Sequence, residues 1–173
     1  DQPGQSVRRW TGGGRVQHGD DLTFALAIPG SESFSKQQSS VRYAQIHTCL
    51  MSALSTIAIP TLLAPDRDPE GRAPDGPAPC FHSPVTSDLI NTEGEKIAGG
   101  AQRRVGGAIL HQGSVRLPRP HRRPDADWIK RFRESLTAEN HFISDESVSK
   151  ILSQIAEKQA SRYGLPEWNR RRE

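Results

Sequence analysis

At 173 residues and 34% hydrophobic composition the chain is long enough for one domain with a sizeable core, while 13 Pro and 15 Gly predict that much of it is loop. No apolar run approaches the ~18 residues needed to cross a bilayer, and no basic-then-apolar leader precedes the first motif, so no membrane partner and a cytoplasmic location are expected. The net charge of +3 comes from 23 Lys and Arg, 18 of them Arg, against 20 Asp and Glu; with no aromatic-interleaved strand or recognition helix beside them, the basic runs read as solvated faces suited to acidic proteins rather than to nucleic acid.

In chain order, the first marked stretch is Val7 to His18, where Gly12, Gly13 and Gly14 are flanked by Arg8, Arg9, Arg15 and His18. Glycine tolerates positive φ and close approach, and guanidinium forks complement anionic oxygens, so this is either a loop that takes an anionic or acylated group or a tight turn. Asp21 to Ile28 alternates with Leu22, Phe24, Leu26 and Ile28 on one face, which predicts a strand ended by Pro29-Gly30. From Lys36 to Ile59 the residues Tyr43, Ile46, Leu50, Leu54 and Ile57 recur at threes and fours, the stripe of an amphipathic helix stopped by Pro60, with Cys49 read as packing. Five prolines between Ala64 and Pro79 predict a mobile loop.

Val85 to Asn91 then reads as a strand, Thr92 to Glu95 as a hairpin turn and Lys96 to Ala101 as the returning strand, with glycines where a ligand would touch backbone. Val105-Gly106-Gly107 turns the chain into Ala108 to His111. Two further amphipathic helices are predicted, Asp127 to Leu136 through Trp128, Phe132 and Leu136, and Ser144 to Tyr163. Short hairpins with helices on one side make the fold class α+β, with a mixed or antiparallel sheet. Residue chemistry alone leaves Cys80 as either a nucleophile or a small buried residue, and Lys96 as either its partner or a solvated hairpin charge. His18, His82 and His111 read as structural, and no histidine or cysteine spacing fits a metal site; Cys49 and Cys80 are expected to be free thiols.

The ordered motifs R-R-x-T-G-G-G-x-V-x-H (Arg8 to His18), D-L-T-F (Asp21 to Phe24), C-F-x-x-P (Cys80 to Pro84), D-L (Asp88-Leu89), K-I-A-G-x-A-Q-R-R (Lys96 to Arg104) and H-Q-G-S (His111 to Ser114) resemble the lipoate-protein ligase and octanoyltransferase superfamily, closest to the ligase-like octanoyltransferases. The resemblance implies a single biotin/lipoyl protein ligase-like catalytic domain over residues 1–173. It also implies that the chain lacks an N-terminal portion, because relatives carry strands and a helix ahead of the glycine loop. It implies a catalytic pair, Cys80 as acyl acceptor and Lys96 beside it. Arg9, Thr11, Gly12, Gly13, Gly14 and His18 would line the substrate channel, and Gly99, Gly100, Ala101 and Gln102 would face the thioester.

The implied activity is transfer of an octanoyl or lipoyl group from acyl carrier protein, through a Cys thioester, to the lysine of a lipoyl domain or glycine-cleavage carrier protein, without a cofactor. The alternatives are an ATP-dependent lipoate-protein ligase, which would use ATP and Mg, and a non-catalytic module that binds an acyl group or carrier domain.

Overall fold

The computed structural model describes residues 8–12, 16–19, 21–66, 84–117, 126–136, 153, 154, 157 and 165–169. The alternating stretch forms β1 (Asp21–Ile28), with Leu22, Phe24, Leu26 and Ile28 packed against the core and Thr23, Ala25 and Ala27 exposed. It is followed by α1 (Ser33–Lys36), α2 (Ser39–Ser55), β2 (Leu62–Leu63), β3 (Leu89–Ile90), β4 (Lys96–Val105), β5 (Ala108–Arg116) and α3 (Ala126–Leu136). The five strands form one sheet in the order β1-β5-β4-β3-β2, antiparallel at every step. The expected α+β class is therefore observed.

The predicted helix from Lys36 to Ile59 is split at its start. Gln37 and Gln38 are extended, because the buried Arg42 guanidinium donates to the carbonyls of Ser35 and Gln37, which a continuous helix would have used itself. Its end comes before Pro60: Ala58 takes φ 57°, while the N–H groups of Ala58 and Ile59 donate back to Ser55 and Leu54. This is the paired closure of a Schellman motif, made with Ala at the position glycine usually holds. The apolar stripe is as predicted, with Ile46, Leu50 and Leu54 buried beside Leu89, Ala98, Val115, Trp128 and Phe132. Fully burying one such Leu or Ile contributes about 1.5–3 kcal/mol, so the α2 stripe fixes this helix on the sheet. Cys49 is half-buried against the same cluster, and its Sγ lies 3.3 Å from the Ser135 carbonyl oxygen, in keeping with a packing role.

The strand expected over Val85 to Asn91 shortens to two residues. Asp88 N–H donates to the Val85 carbonyl at 2.9 Å, the Asp88 carboxylate accepts the Val85 N–H at 2.7 Å, and Ser87 takes φ 65°, so the segment before Leu89 is a turn. The returning strand instead runs four residues beyond Ala101 and pairs with β5 from Ala98↔Val115 to Val105↔Ala108. Gly106 and Gly107, at φ 55° and 87°, close the two-residue hairpin, a turn that requires positive φ at both positions. Phe24 of β1 lies over Gly113 of β5; a Cβ there would meet its ring at 2.3 Å, which ties the D-L-T-F and H-Q-G-S motifs together.

The chain divides into two compact units, Thr11–Glu139 and a second formed by Asp1–Trp10 with Asn140–Glu173. In the second, the Trp10 ring stacks on Trp168 at 5.0 Å, Trp168 Nε1 donates to the Arg8 carbonyl at 2.9 Å, and the Arg8 guanidinium lies 5.6 Å from the Trp168 ring centre. Trp168 belongs to a single helical turn, Pro166–Asn169. The predicted helix from Ser144 to Tyr163 lies largely outside the described residues, although Ser153, Gln154 and Glu157 are helical. The proline-rich segment lies outside them from residue 67 onward. Among the described residues no helix is long and apolar enough to cross a membrane.

Candidate functional site

Alternation along the paired strands puts Gly99, Ala101, Gln112 and Ser114 on one face of the sheet and Gly100, Gln102, His111 and Gly113 on the other, toward α2. On the first face the Lys96 side chain folds over Gly99: a Cβ at Gly99 would lie 2.6 Å from Lys96 Nζ and 2.7 Å from Asp88 Oδ1. Lys96 Nζ is 2.7 Å from Asp88 Oδ2, and the two side chains are only 3% and 0% exposed. The lysine at the head of K-I-A-G is therefore a buried, paired charge and not a solvated one. The close approach that calls for glycine at position 99 is made by the protein's own ion pair.

Ser114 stands directly opposite Gly99 across the β4–β5 ladder. Its hydroxyl donates to Asp21 Oδ2, which His18 Nδ1 also meets at 2.7 Å, while Gly19 N–H donates to Asp21 Oδ1 at 2.9 Å. Burial alone would raise the Asp21 carboxyl, but the donors from Ser114, Gly19 and His18 together hold it below the usual carboxylate range. His18 thus has a carboxylate partner three residues away in sequence, which the structural reading of this histidine did not name. Thr11 reaches the same face, its hydroxyl donating to Gln112 Oε1 at 3.0 Å, and Gly12 adopts φ 72°, a conformation that favours glycine.

The opposite face is built around Tyr43, His47 and His111. Gly100 N–H donates to the Tyr43 oxygen at 2.8 Å, and the Tyr43 hydroxyl donates to Asp88 Oδ1 at 2.5 Å. His47 lies 4.2 Å and His111 5.6 Å from the Tyr43 ring, centre to centre. Gln102 Oε1 accepts from Arg42 Nε at 3.2 Å, which leaves its amide N–H to donate to His111 Nδ1 at 3.3 Å. His111 then carries its proton on Nε2, the atom that fills the space a Cβ at Gly100 would need. Burial, and secondarily the nearby His47, push His111 down to about 3; burial likewise lowers His47.

Burial therefore disfavours the charged form of both imidazoles. Because the folded proton affinity of His111 is depressed, its contribution to stability is complete above the ordinary value of 6.5 and is lost as pH falls from there toward 3, and the lowering of His47 acts in the same direction. Thermal unfolding followed between pH 7 and pH 4.5 is expected to show a falling midpoint, with a shallower fall in His111→Gln. Equal slopes would show that this histidine is not the group being protonated.

Residues 1–152 match the lipoyl protein ligase A/B catalytic domain family. The chain belongs to that family. Its relatives include octanoyltransferase LipM of Oceanobacillus iheyensis, 36% identical over 115 residues, and octanoyltransferase LipM of Staphylococcus aureus, 34% identical over 112. These matches cover 65% and 63% of this chain, which spans about 40% of the length of each relative. A solved T. acidophilum protein with bound lipoic acid shares the fold with a TM-score of 0.59 at 19% identity, over 94% of this chain and 70% of that one. A lipoate-protein ligase A bound with ATP does so with a TM-score of 0.57, at the same identity and the same coverage of each chain.

Within this family domain, the structure brings Lys96, Gly99, Ala101, Thr11 and His18 to one face of the sheet. Gly100 and Gln102 line the face toward α2. Arg9 falls in the smaller unit, and Cys80, Gly13 and Gly14 lie outside the described residues. Asp88, Tyr43, Asp21 and Ser114 complete the polar array; in the sequence they stood as motif residues or, for Tyr43, as part of the α2 stripe, not as site residues.

Proposed function

We propose that this chain carries the acyl-transfer chemistry of an octanoyltransferase. The observation that carries the reading is Lys96, buried against Asp88 over Gly99 in a family domain whose relatives are octanoyltransferases. In this reading the Cys80 thiolate attacks the carbonyl carbon of an octanoyl thioester on acyl carrier protein. A new C–S bond forms, and the carrier leaves as a thiol after taking a proton. The amine of a lipoyl-domain lysine, or of a glycine-cleavage carrier protein, then attacks the Cys80 thioester, an amide forms, and Cys80 is regenerated.

Lys96 serves as the ammonium that stabilises the thiolate or as the base that takes its proton. Arg9, Thr11, Gly12, Gly13, Gly14 and His18 are the residues that the family motif assigns to the acyl channel. Of the four residues assigned to the thioester oxygen, Gly100 turns its N–H away from β5, and strand alternation gives Gln102 the same orientation. Because Tyr43 already holds the Gly100 N–H, Gln102 is the freer oxyanion donor. The reaction takes place in the cytoplasm and uses no cofactor.

Incubating the chain with octanoyl-carrier protein is expected to give an octanoyl adduct on Cys80 by mass spectrometry, and none in Cys80→Ala. Undiminished transfer by Cys80→Ala would overturn the reading. Lipoate-dependent ATP–pyrophosphate exchange would instead be the mark of an ATP-dependent ligase, with Mg as its metal. Turnover in neither assay would leave a binding module for an acyl group or carrier domain.

A further inference from the structure

Lys96 can serve a thiol only if its ammonium is held in one place, and the group that holds it is Asp88. Among the described residues, two donors besides Lys96 fix the Asp88 carboxylate: the Val85 N–H on Oδ2 at 2.7 Å and the Tyr43 hydroxyl on Oδ1 at 2.5 Å. The backbone donor shares its oxygen with Lys96, so it does little to set the plane of the carboxylate. Tyr43 is the donor that does. Its own oxygen is anchored in turn by the Gly100 N–H at 2.8 Å, and its ring packs against both His47 and His111, which also contact each other. The line of contacts therefore runs from the main chain of K-I-A-G-G, through a phenol on α2, to the carboxylate that pairs with the lysine at the head of the same motif.

We propose that Tyr43 is a positioning residue, which orients Asp88 so that Oδ2 faces Lys96 and thereby holds the Lys96 ammonium over Gly99. The consequence for Cys80 acylation rests on the octanoyltransferase reading; the positioning itself does not. His47 and His111 support the arrangement as walls. Both are buried, and burial disfavours the charged form of each. Among the described residues, the titratable and charged groups that face the Lys96–Asp88 pair and its Tyr43 anchor include Asp88 from the turn before β3, Tyr43 and His47 from α2, and His111 from β5.

Tyr43→Phe tests this with minimal disturbance, because the ring and its stacking remain and only the hydroxyl is lost. The first readout is labelling of Lys96 by fluorodinitrobenzene, followed peptide by peptide, with the exposed Lys130 as internal reference. With Asp88 free to rotate, the Lys96/Lys130 labelling ratio is expected to rise on the order of tenfold, the worth of one hydrogen bond to a charged group. The second readout is octanoyl transfer, where kcat is expected to fall by a similar factor with KM for the octanoyl donor unchanged.

A labelling ratio equal to the parent's overturns the proposal whatever Lys96 does in catalysis. So does a raised ratio with unchanged kcat, provided that Lys96→Ala abolishes transfer. If Lys96→Ala leaves transfer intact, the transferase role of Lys96 fails instead, and the labelling ratio alone judges the positioning role. Asp88→Asn, measured in parallel, is expected to raise labelling of Lys96 as Tyr43→Phe does, since it removes the same anchor.

Discussion

Lys96→Ala is expected to slow acylation of Cys80 by octanoyl-carrier protein by ~10²–10⁴, the range of a general acid–base partner, and to slow alkylation of that thiol by iodoacetamide as well. The two readouts are coupled because a thiolate is the reactive species in both, and an ammonium or amine beside the thiol governs how much of it is present. Cys49 provides an internal control: it packs beside α3, with Sγ 3.3 Å from the Ser135 carbonyl, and its alkylation should be indifferent to Lys96. The burial of Lys96 adds a condition to the measurement. Removing the ammonium takes a charge partner from the buried Asp88 carboxylate, which keeps the Tyr43 and Val85 donors, so rates must be compared well below the lowered melting temperature. Equal alkylation of Cys80 in variant and parent between pH 6 and pH 9, a range chosen to span the reference thiol value of about 8.5, would sever Lys96 from Cys80.

Much of the sheet was legible because its signals are local. Period-two alternation identified β1, and Gly106-Gly107 marked a turn that needs positive φ twice, which gave the β4–β5 hairpin. The start of α2 and the length of β3 were not legible, and for one physical reason. In both places a side chain takes over backbone groups that regular structure would have used: Arg42 on the carbonyls of Ser35 and Gln37, and Asp88 on the N–H of Val85. Such competition depends on where a long or acidic side chain ends up in three dimensions.

The site divides in the same way. The motif around Lys96 was visible, but its burial was not, because its partner Asp88 lies eight residues earlier across a turn. Tyr43 was assigned to the apolar stripe of α2, correctly for its ring; only the fold shows its hydroxyl passing the edge of β4 to reach Asp88. The His18–Asp21 pair was the one partner within reach of sequence reasoning, since the two residues are three apart at the mouth of β1.

Asp88→Ala is expected to cost about 3–5 kcal/mol of folding stability, because it removes the carboxylate paired with the buried Lys96 ammonium and strands the Tyr43 and Val85 donors. An exposed pair would be worth ~0–1 kcal/mol, and the 0% and 3% exposure of the two side chains decides between these cases. The cost lies in removing one member of a buried pair rather than in the strength of the pair. The double variant Asp88→Asn with Lys96→Met removes both charges while keeping their approximate volumes, and it should therefore recover a large part of what Asp88→Ala loses. Urea unfolding of Asp88→Asn, Lys96→Met and their combination closes a thermodynamic cycle. Contacting partners of this kind typically show non-additivity of about 0.5–3 kcal/mol. Additive losses, or an Asp88→Ala penalty below ~1 kcal/mol, would mean that solvent reaches the pair and that Lys96 is not held over Gly99 by Asp88. The expected non-additive result would instead make this ion pair a costly feature of the fold, retained where the K-I-A-G strand needs a lysine fixed in place.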